Sequence, residues 1–320
     1  MQTLKKIALG LWMCAALGTA SAQVDKPVRL LVGFAPGGSA DIAARLLADR
    51  MKDDLKQSVV VENRPGAGGR IAAEAVRNGP ADGSLLMLTP IVVTVLAPMV
   101  FSKLPYDPLV DFAPVAHVAN FQFGLSVAAT HPAKNVQELV DWWKANKPMA
   151  NFGSPAPGSL PHFFGVMIER SADVPLVHVP YNGGGPLMNA VMGNQVSSGI
   201  DTLVDQIELH RTGKIRLIAT SGAQRSALVP EVPTFAEGGL KGVEGTSWFA
   251  VYAPAKTPEA TVRQLNASIN KALAAPELRE RYLKLGLEPT GGTPAELSAR
   301  MAQDTARWSP VVKASGFKAD

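Results

Sequence analysis

The sequence predicts an α/β fold built as two lobes, and three observations predict it. Short apolar runs rich in valine, isoleucine and leucine alternate with stretches of helical periodicity. A loop rich in glycine, proline or serine separates the run from the helix four times. The length, 320 residues, suggests about two domains rather than one.

The elements follow in order. Residues 28–34 read as a buried strand, Ala35-Pro36-Gly37-Gly38-Ser39-Ala40-Asp41 as a loop, and 42–55 as a helix with Ile42, Leu46 and Leu47 on one face. The unit recurs as a strand at 59–61, the loop Asn63-Arg64-Pro65-Gly66-Ala67-Gly68-Gly69 and a helix at 70–77. Asp82-Gly83 then turns the chain into a strand at 84–89. The middle third predicts strands at 123–128, 150–154, 177–181, 197–202 and 215–220. Helices are expected at 135–145, carrying Trp142 and Trp143 as packing residues, and from about 161 to 170. Pro186, after Asn182-Gly183-Gly184-Gly185, suits the first turn of another helix. A proline- and glycine-rich crossing leads to a strand at 248–253 and helices at 257–274, 276–285 and 294–313.

The amino terminus has the order of a secretory leader. Lys5 and Lys6 precede an apolar run at 7–17, too short to span a bilayer, and Ala20-Ser21-Ala22 offers a cleavage site before Gln23. Residues 1–22 are therefore expected to be removed. Bulky Trp12 and Met13 before Cys14 argue against a lipoprotein site. Cleavage removes Cys14, the sole cysteine, which leaves no disulfide, thiolate nucleophile or cysteine-ligated metal. It also removes two lysines, leaving 29 basic residues (31 − 2) against 27 acidic ones, a balance with no footprint for nucleic acid.

The four loops are the candidate chemistry. In open α/β sheets ligands bind beyond the carboxyl ends of the strands. Helix N-termini there present unpaired N–H groups and partial positive charge, which suit a carboxylate or phosphate. Enzyme motifs do not fit the spacing. Ile71 stands where a dinucleotide fingerprint needs its third glycine, and there is neither a GxxxxGK[ST] loop nor a G-x-S-x-G elbow. His117, His131, His162, His178 and His210 form no HExxH pair, so no metal and no cofactor is expected. His178 is expected to pack in a strand. His162 either joins the site or only polarises a helix start. Asp41 reads as a helix-capping acid, Asp201 as either a cap or a cleft residue, and Tyr181 as a phenol able to donate to a carboxylate.

Together these stretches resemble the solute-binding receptors of tripartite tricarboxylate transporters. The resemblance rests on Phe34-Ala35-Pro36-Gly37-Gly38-Ser39-Ala40-Asp41, on Glu62-Asn63-Arg64-Pro65-Gly66-Ala67-Gly68-Gly69 and on Val179-Pro180-Tyr181-Asn182-Gly183-Gly184-Gly185-Pro186. Further matches are Val232-Pro233-Thr234-Phe235-Ala236-Glu237 and Leu283-Lys284-Leu285-Gly286-Leu287-Glu288-Pro289. It implies a periplasmic, monomeric, two-lobed binding protein of the type II flytrap kind. The first lobe would be 23–124 completed by 248–320, the second 125–247, with a hinge near 120–124 and 245–249. The ligand would be a small carboxylate, delivered to membrane transporter subunits, and no catalysis is implied. Alternatives are a sensor for a signalling partner or an enzyme on the same scaffold. By the same resemblance Pro36, Gly37, Gly38, Ala67, Gly68, Gly69 and Thr89 clamp a carboxylate from the first lobe. Ser154, Gly158, Ser159, Tyr181 and Asp201, with His162 as a further candidate, face it from the second. Gly38 is expected to bring the backbone against the ligand, with a φ above zero as a possible added demand. Two departures fall on the second lobe: Asn182 where lysine is common, and Pro155-Ala156-Pro157 in place of a more usual Ser/Pro/Gly arrangement.

Overall fold

The structure, a computed structural model, describes residues 26–319. The predicted leader, its cleavage site, Cys14 and Gln23 lie outside the described residues. Among the described residues no helix is long and apolar enough to cross a membrane.

Two sheets organise the chain. The first contains β1 (Val28–Val32), β2 (Val59–Asn63), β3 (Leu85–Pro90), β4 (Phe112–Phe121), β10 (Ser247–Pro254) and β11 (Leu287–Pro289), in the order β11-β4-β10-β3-β1-β2. β1 runs parallel to β2 and β3, whereas β10 is antiparallel to both β3 and β4. β10 is buried at every residue and β3 at all but its last, as helices on both faces of a sheet require. The second sheet holds β5 (Phe123–Ala128), β6 (Asn151–Ser154), β7 (Val177–Pro180), β8 (Gly199–Thr202) and β9 (Ile215–Thr220), in the order β7-β6-β8-β5-β9. β7 is an edge strand with exposed Val177, and it ends on Pro180, where a missing N–H breaks no ladder.

The tail rejoins the first sheet. After β10 come helices Glu259–Ala274, Pro276–Lys284 and Pro294–Ser315, the last opened by a capping box between Thr293 and Glu296. Trp248 Nε1 donates to Asp304 of that helix at 2.6 Å, and Arg300 pairs with the same carboxylate at 2.8 Å. Trp308 continues across to the second lobe, edge-on to Phe164 at 6.0 Å.

Two crossings join the sheets and meet at one residue. β4 passes to β5 through Gln122 alone, and the chain returns through 221–246. The Ser221 hydroxyl accepts from Phe123 N–H at 3.0 Å and donates to the Gly245 carbonyl at 2.6 Å, so one side chain laces both crossings together.

Elements the sequence reading did not mark are β4, β11, the helical turns of Val92–Val100, and the short turns Pro108–Asp111 and Lys147–Met149. The helix Leu203–Arg211, to which it gave no bounds, begins directly after β8. Trp143 packs as expected, fully buried with Nε1 donating to Ser197 at 3.0 Å, while Trp142 lies edge-on to His131 at 4.6 Å.

Candidate functional site

Four helices start at one cavity between the lobes. Its lining includes the first turns of Ser39–Leu55, Leu160–Ala172, Gly184–Met192 and Leu203–Arg211. Each presents backbone N–H groups that no residue of its own helix can accept. Phe34, Phe121, Phe123 and Phe249 supply an apolar wall, with Phe121 and Phe249 tilted 33° at 4.4 Å. The cavity measures about 60 Å³, several times the roughly 10–15 Å³ that one water needs on the same measure. A second, separate opening of about 250 Å³ lies between Ala67, Gly68 and Arg70 of the first lobe and Pro157, Tyr181 and Asn182 of the second.

The first loop is held from behind by Asp41. Its carboxylate accepts from Gly37 N–H, Arg45 and Asn63, each at 2.9 Å. Burial alone would raise its pKa, but those hydrogen bonds outweigh it and hold the carboxyl below its ordinary value. Asp41 thus fixes the loop from the first turn of the helix; it is not the cap expected, since Gly38 holds the N-cap position and no side chain caps it. Gly37 carries the turn at φ +83, a conformation that favours glycine. Gly38, at φ −82, does not, so the expected strain belongs one residue earlier. The second loop packs on the first backbone to backbone: a Cβ on Gly33 would come within 2.5 Å of Gly69 Cα. Gly69, at φ +92, is therefore a packing residue of the first lobe.

On the second lobe, serines and histidines brace a loop. Ser154 and Ser159 hydroxyls both donate to the Ala156 carbonyl, at 3.0 and 2.6 Å. With its proton so placed, Ser154 Oγ accepts from His178 Nε2 at 2.7 Å. His178 stacks on His162 at 3.9 Å, and His162 Nδ1 accepts from Gly158 N–H at 3.0 Å. Burial pushes His162 down to about 4; burial, with the neighbouring His162, pushes His178 to about 3. Both rings are neutral at pH 7 and shape the Pro155–Ser159 turn from behind.

The acids sit at the carboxyl end of β8. Asp201 Oδ1 accepts from Thr202 N–H at 2.8 Å. Asp205, one turn into the following helix, accepts from Thr202 Oγ1 at 3.0 Å and from both the N–H and the hydroxyl of Ser39 on the other lobe. Burial drives Asp201 well above its ordinary value, helped by the charge of Asp205, and burial pushes Asp205 up to about 6. Gly184 fits between them, since a Cβ there would reach within 2.6 Å of Asp201 Oδ2 and closer still to Asp205 Oδ2.

The candidate residues therefore divide. Gly38, Ser159 and Asp201 line the inner cavity; Ala67, Gly68 and Tyr181 line the second opening. Pro36 and Gly37 are exposed on the outer side of their loop, and Gly69, Ser154, Gly158 and His162 support loops. Thr89 is buried, its hydroxyl directed at the Pro90 carbonyl at 3.3 Å. Ser39, Thr202 and Asp205 complete the polar lining, and the four-residue spacing from Asp201 was the available hint of Asp205. Among the described residues no group of three or more His, Cys, Asp or Glu is placed to hold a metal ion.

Known proteins share this fold. Residues 43–317 match the family model of the tripartite tricarboxylate transporter family receptor. A protein from the gbd 5′ region of Cupriavidus necator is 36% identical over 86% of this chain and 85% of its own. BugT of Bordetella pertussis is 32% identical over 95% and 94%. Among solved structures, the periplasmic binding protein BugD superposes with a TM-score of 0.88 at 31% identity, over 92% of this chain and 99% of that one. MatC from Rhodopseudomonas palustris with bound malate gives 0.86 at 31% identity, over 90% and 99%. An adipate-bound protein of R. palustris gives 0.89 at 32%, over 92% and 99%. The chain is a member of the tripartite tricarboxylate transporter receptor family, with the two-lobed fold of periplasmic binding proteins.

Proposed function

We propose that this protein is a periplasmic receptor that captures a small carboxylate-bearing solute between its lobes and presents it to the membrane subunits of a tripartite transporter. The observation that carries the reading is the convergence of four helix N-termini on one interlobe cavity. Each such terminus favours an anion by about 0.3–1 kcal/mol when exposed and up to about 2 kcal/mol when partly buried. Relatives with bound malate and adipate support a carboxylate as the ligand.

In this reading Gly38, Ser39 and Ser159 contact the solute, and Asp201 reads its far end. Ala67, Gly68, Arg70 and Tyr181 meet it from the second opening. Pro36, Gly37, Gly69, Thr89, Ser154, Gly158 and His162 hold the loops that do so. The first lobe is 23–124 with 248–320, the second is 125–247, and the hinge is the pair of crossings laced by Ser221. The leader at 1–22 directs export, and the receptor works as a monomer without a cofactor.

The test is a thermal-shift panel of mono-, di- and aromatic carboxylates beside ATP, NAD and Zn²⁺. A ligand present at about a hundred times its Kd stabilises by roughly 2.7 kcal/mol, a shift of several degrees for a chain this size. Stabilisation by a nucleotide and by no carboxylate would overturn the proposal.

A further inference from the structure

The second lobe's Pro155–Ser159 turn rests on a tail that belongs to the first lobe. The helix Pro294–Ser315 is tied to the first sheet by Asp304 and Trp248, and its later turns run beside the helix Leu160–Ala172 of the second lobe. Arg170 of that helix donates to the Ala314 carbonyl. Gly316, at φ +68, ends the long helix and turns the chain. Ala319 N–H then donates to the Val100 carbonyl at 2.9 Å, and Lys318 Nζ to the Met99 carbonyl at 3.3 Å. These bonds hold the tail on the first lobe while half-buried Phe317 meets the second. Its ring stands edge-on to His162 at 4.3 Å and to Phe163 at 6.2 Å. Gly158 has no side chain to hold the surfaces apart: a Cβ there would lie 3.0 Å from Val100 and 3.5 Å from Phe317. His162 accepts from Gly158 N–H, and Pro155, Ala156 and Ser159 of the same turn line the inner cavity.

The position of this contact relative to the crossings gives it leverage. Trp308 and Phe164 both pack against Gly245, on the returning crossing. Phe317 lies nine residues beyond Trp308, roughly 13 Å farther at helical rise. A rotation about the crossings that opens the cavity therefore displaces Gly158 and His162 from Phe317 more than it displaces Phe164 from Trp308. We infer that Phe317 is a positioning residue, a clasp that seats the Pro155–Ser159 turn when the lobes close and favours the closed arrangement before a solute arrives. A solute that requires that arrangement then binds with an apparent affinity raised in proportion to its population. The inference uses the hinge of the receptor reading and goes beyond its ligand.

The test uses the chain from Gln23, without added solute, at pH 7. Hydrogen exchange followed by mass spectrometry compares wild type with Phe317→Ala and with Phe317→Tyr, which keeps the ring. Phe317→Ala should speed exchange in residues 155–163 by about tenfold, equivalent to roughly 1.4 kcal/mol, with β1 unchanged and Phe317→Tyr close to wild type. A chain starting at Gln23 carries no cysteine, so spin labels on Glu74→Cys and Asn189→Cys, at exposed positions of the two lobes, report the separation between lobes. Phe317→Ala should move the distribution to longer distances, and Phe317→Tyr should leave it in place. Unchanged exchange at 155–163, or unchanged label distances, overturns the clasp. Faster exchange in β1 as well, or a tyrosine variant that behaves like alanine, also overturns it, because Phe317 would then serve only general packing. None of these results bears on which solute the cavity takes, which the thermal-shift panel decides separately.

Discussion

Replacing Asp205 by asparagine keeps the shape of the side chain and one acceptor oxygen for Ser39 and Thr202 while removing a charge from beside Asp201. The carboxyl rises from 3.8 to about 6 on folding, first through burial. A group raised in the folded state contributes stability that is complete below its unfolded pKa and is lost as pH rises through the folded one. The wild-type protein should therefore lose stability between pH 4 and about 6 relative to the variant. At about 1.4 kcal/mol per pKa unit, the rise caps that loss at about 3 kcal/mol. Relief of Asp201 from its charged neighbour acts in the same direction. Urea unfolding of both proteins at half-unit steps from pH 4 to 8, without added solute, reads the difference directly. The two curves should coincide near pH 4, and by pH 7 the variant should be the more stable by about 1–3 kcal/mol. A difference that stays flat with pH, or a variant less stable at pH 8, would show that Asp205 is not held at a desolvating interface between the lobes.

Two substitutions separate contact from support. Gly38→Val needs no unusual backbone but adds bulk 3.6 Å from the Ala35 carbonyl and 4.0 Å from Asp205. It should weaken every carboxylate by about tenfold, roughly 1.4 kcal/mol, in calorimetric titration. His162→Leu leaves the buried Gly158 N–H without its acceptor. It should cost about 1–3 kcal/mol in chemical unfolding, with the order of ligand preference unchanged.

The sheets were largely legible because most buried strands are compact apolar runs, and β1, β2 and β6 are each stopped by a loop rich in glycine, proline or serine. β4 was not: Pro114, His117 and Asn120 interrupt its alternation, and its pairing with β10 supplies what local pattern does not. The helix Leu203–Arg211 is only nine residues long, with three polar or charged residues among its first six, and its bounds are set by packing behind β8. Those two elements carry Phe121 and Asp205, which is why these two lining residues escaped the sequence. Where the loops lie was readable, but which way their polar groups point was not. Ser154 and Ser159 turn to the Ala156 carbonyl, and His162 turns to Gly158, because a tight proline-containing turn leaves backbone groups that need partners more than a solvated ligand does.

The central claim, that the interlobe cavity holds a small solute by its carboxylate, is tested most directly by what the protein carries out of the cell. Protein isolated from the periplasm without dialysis should release, on denaturation, one dominant small molecule bearing a carboxyl group, at up to one equivalent per chain. The same preparation of Gly38→Val should release markedly less of it. A nucleotide in its place, or a carboxylate carried equally by wild type and variant, would contradict the account.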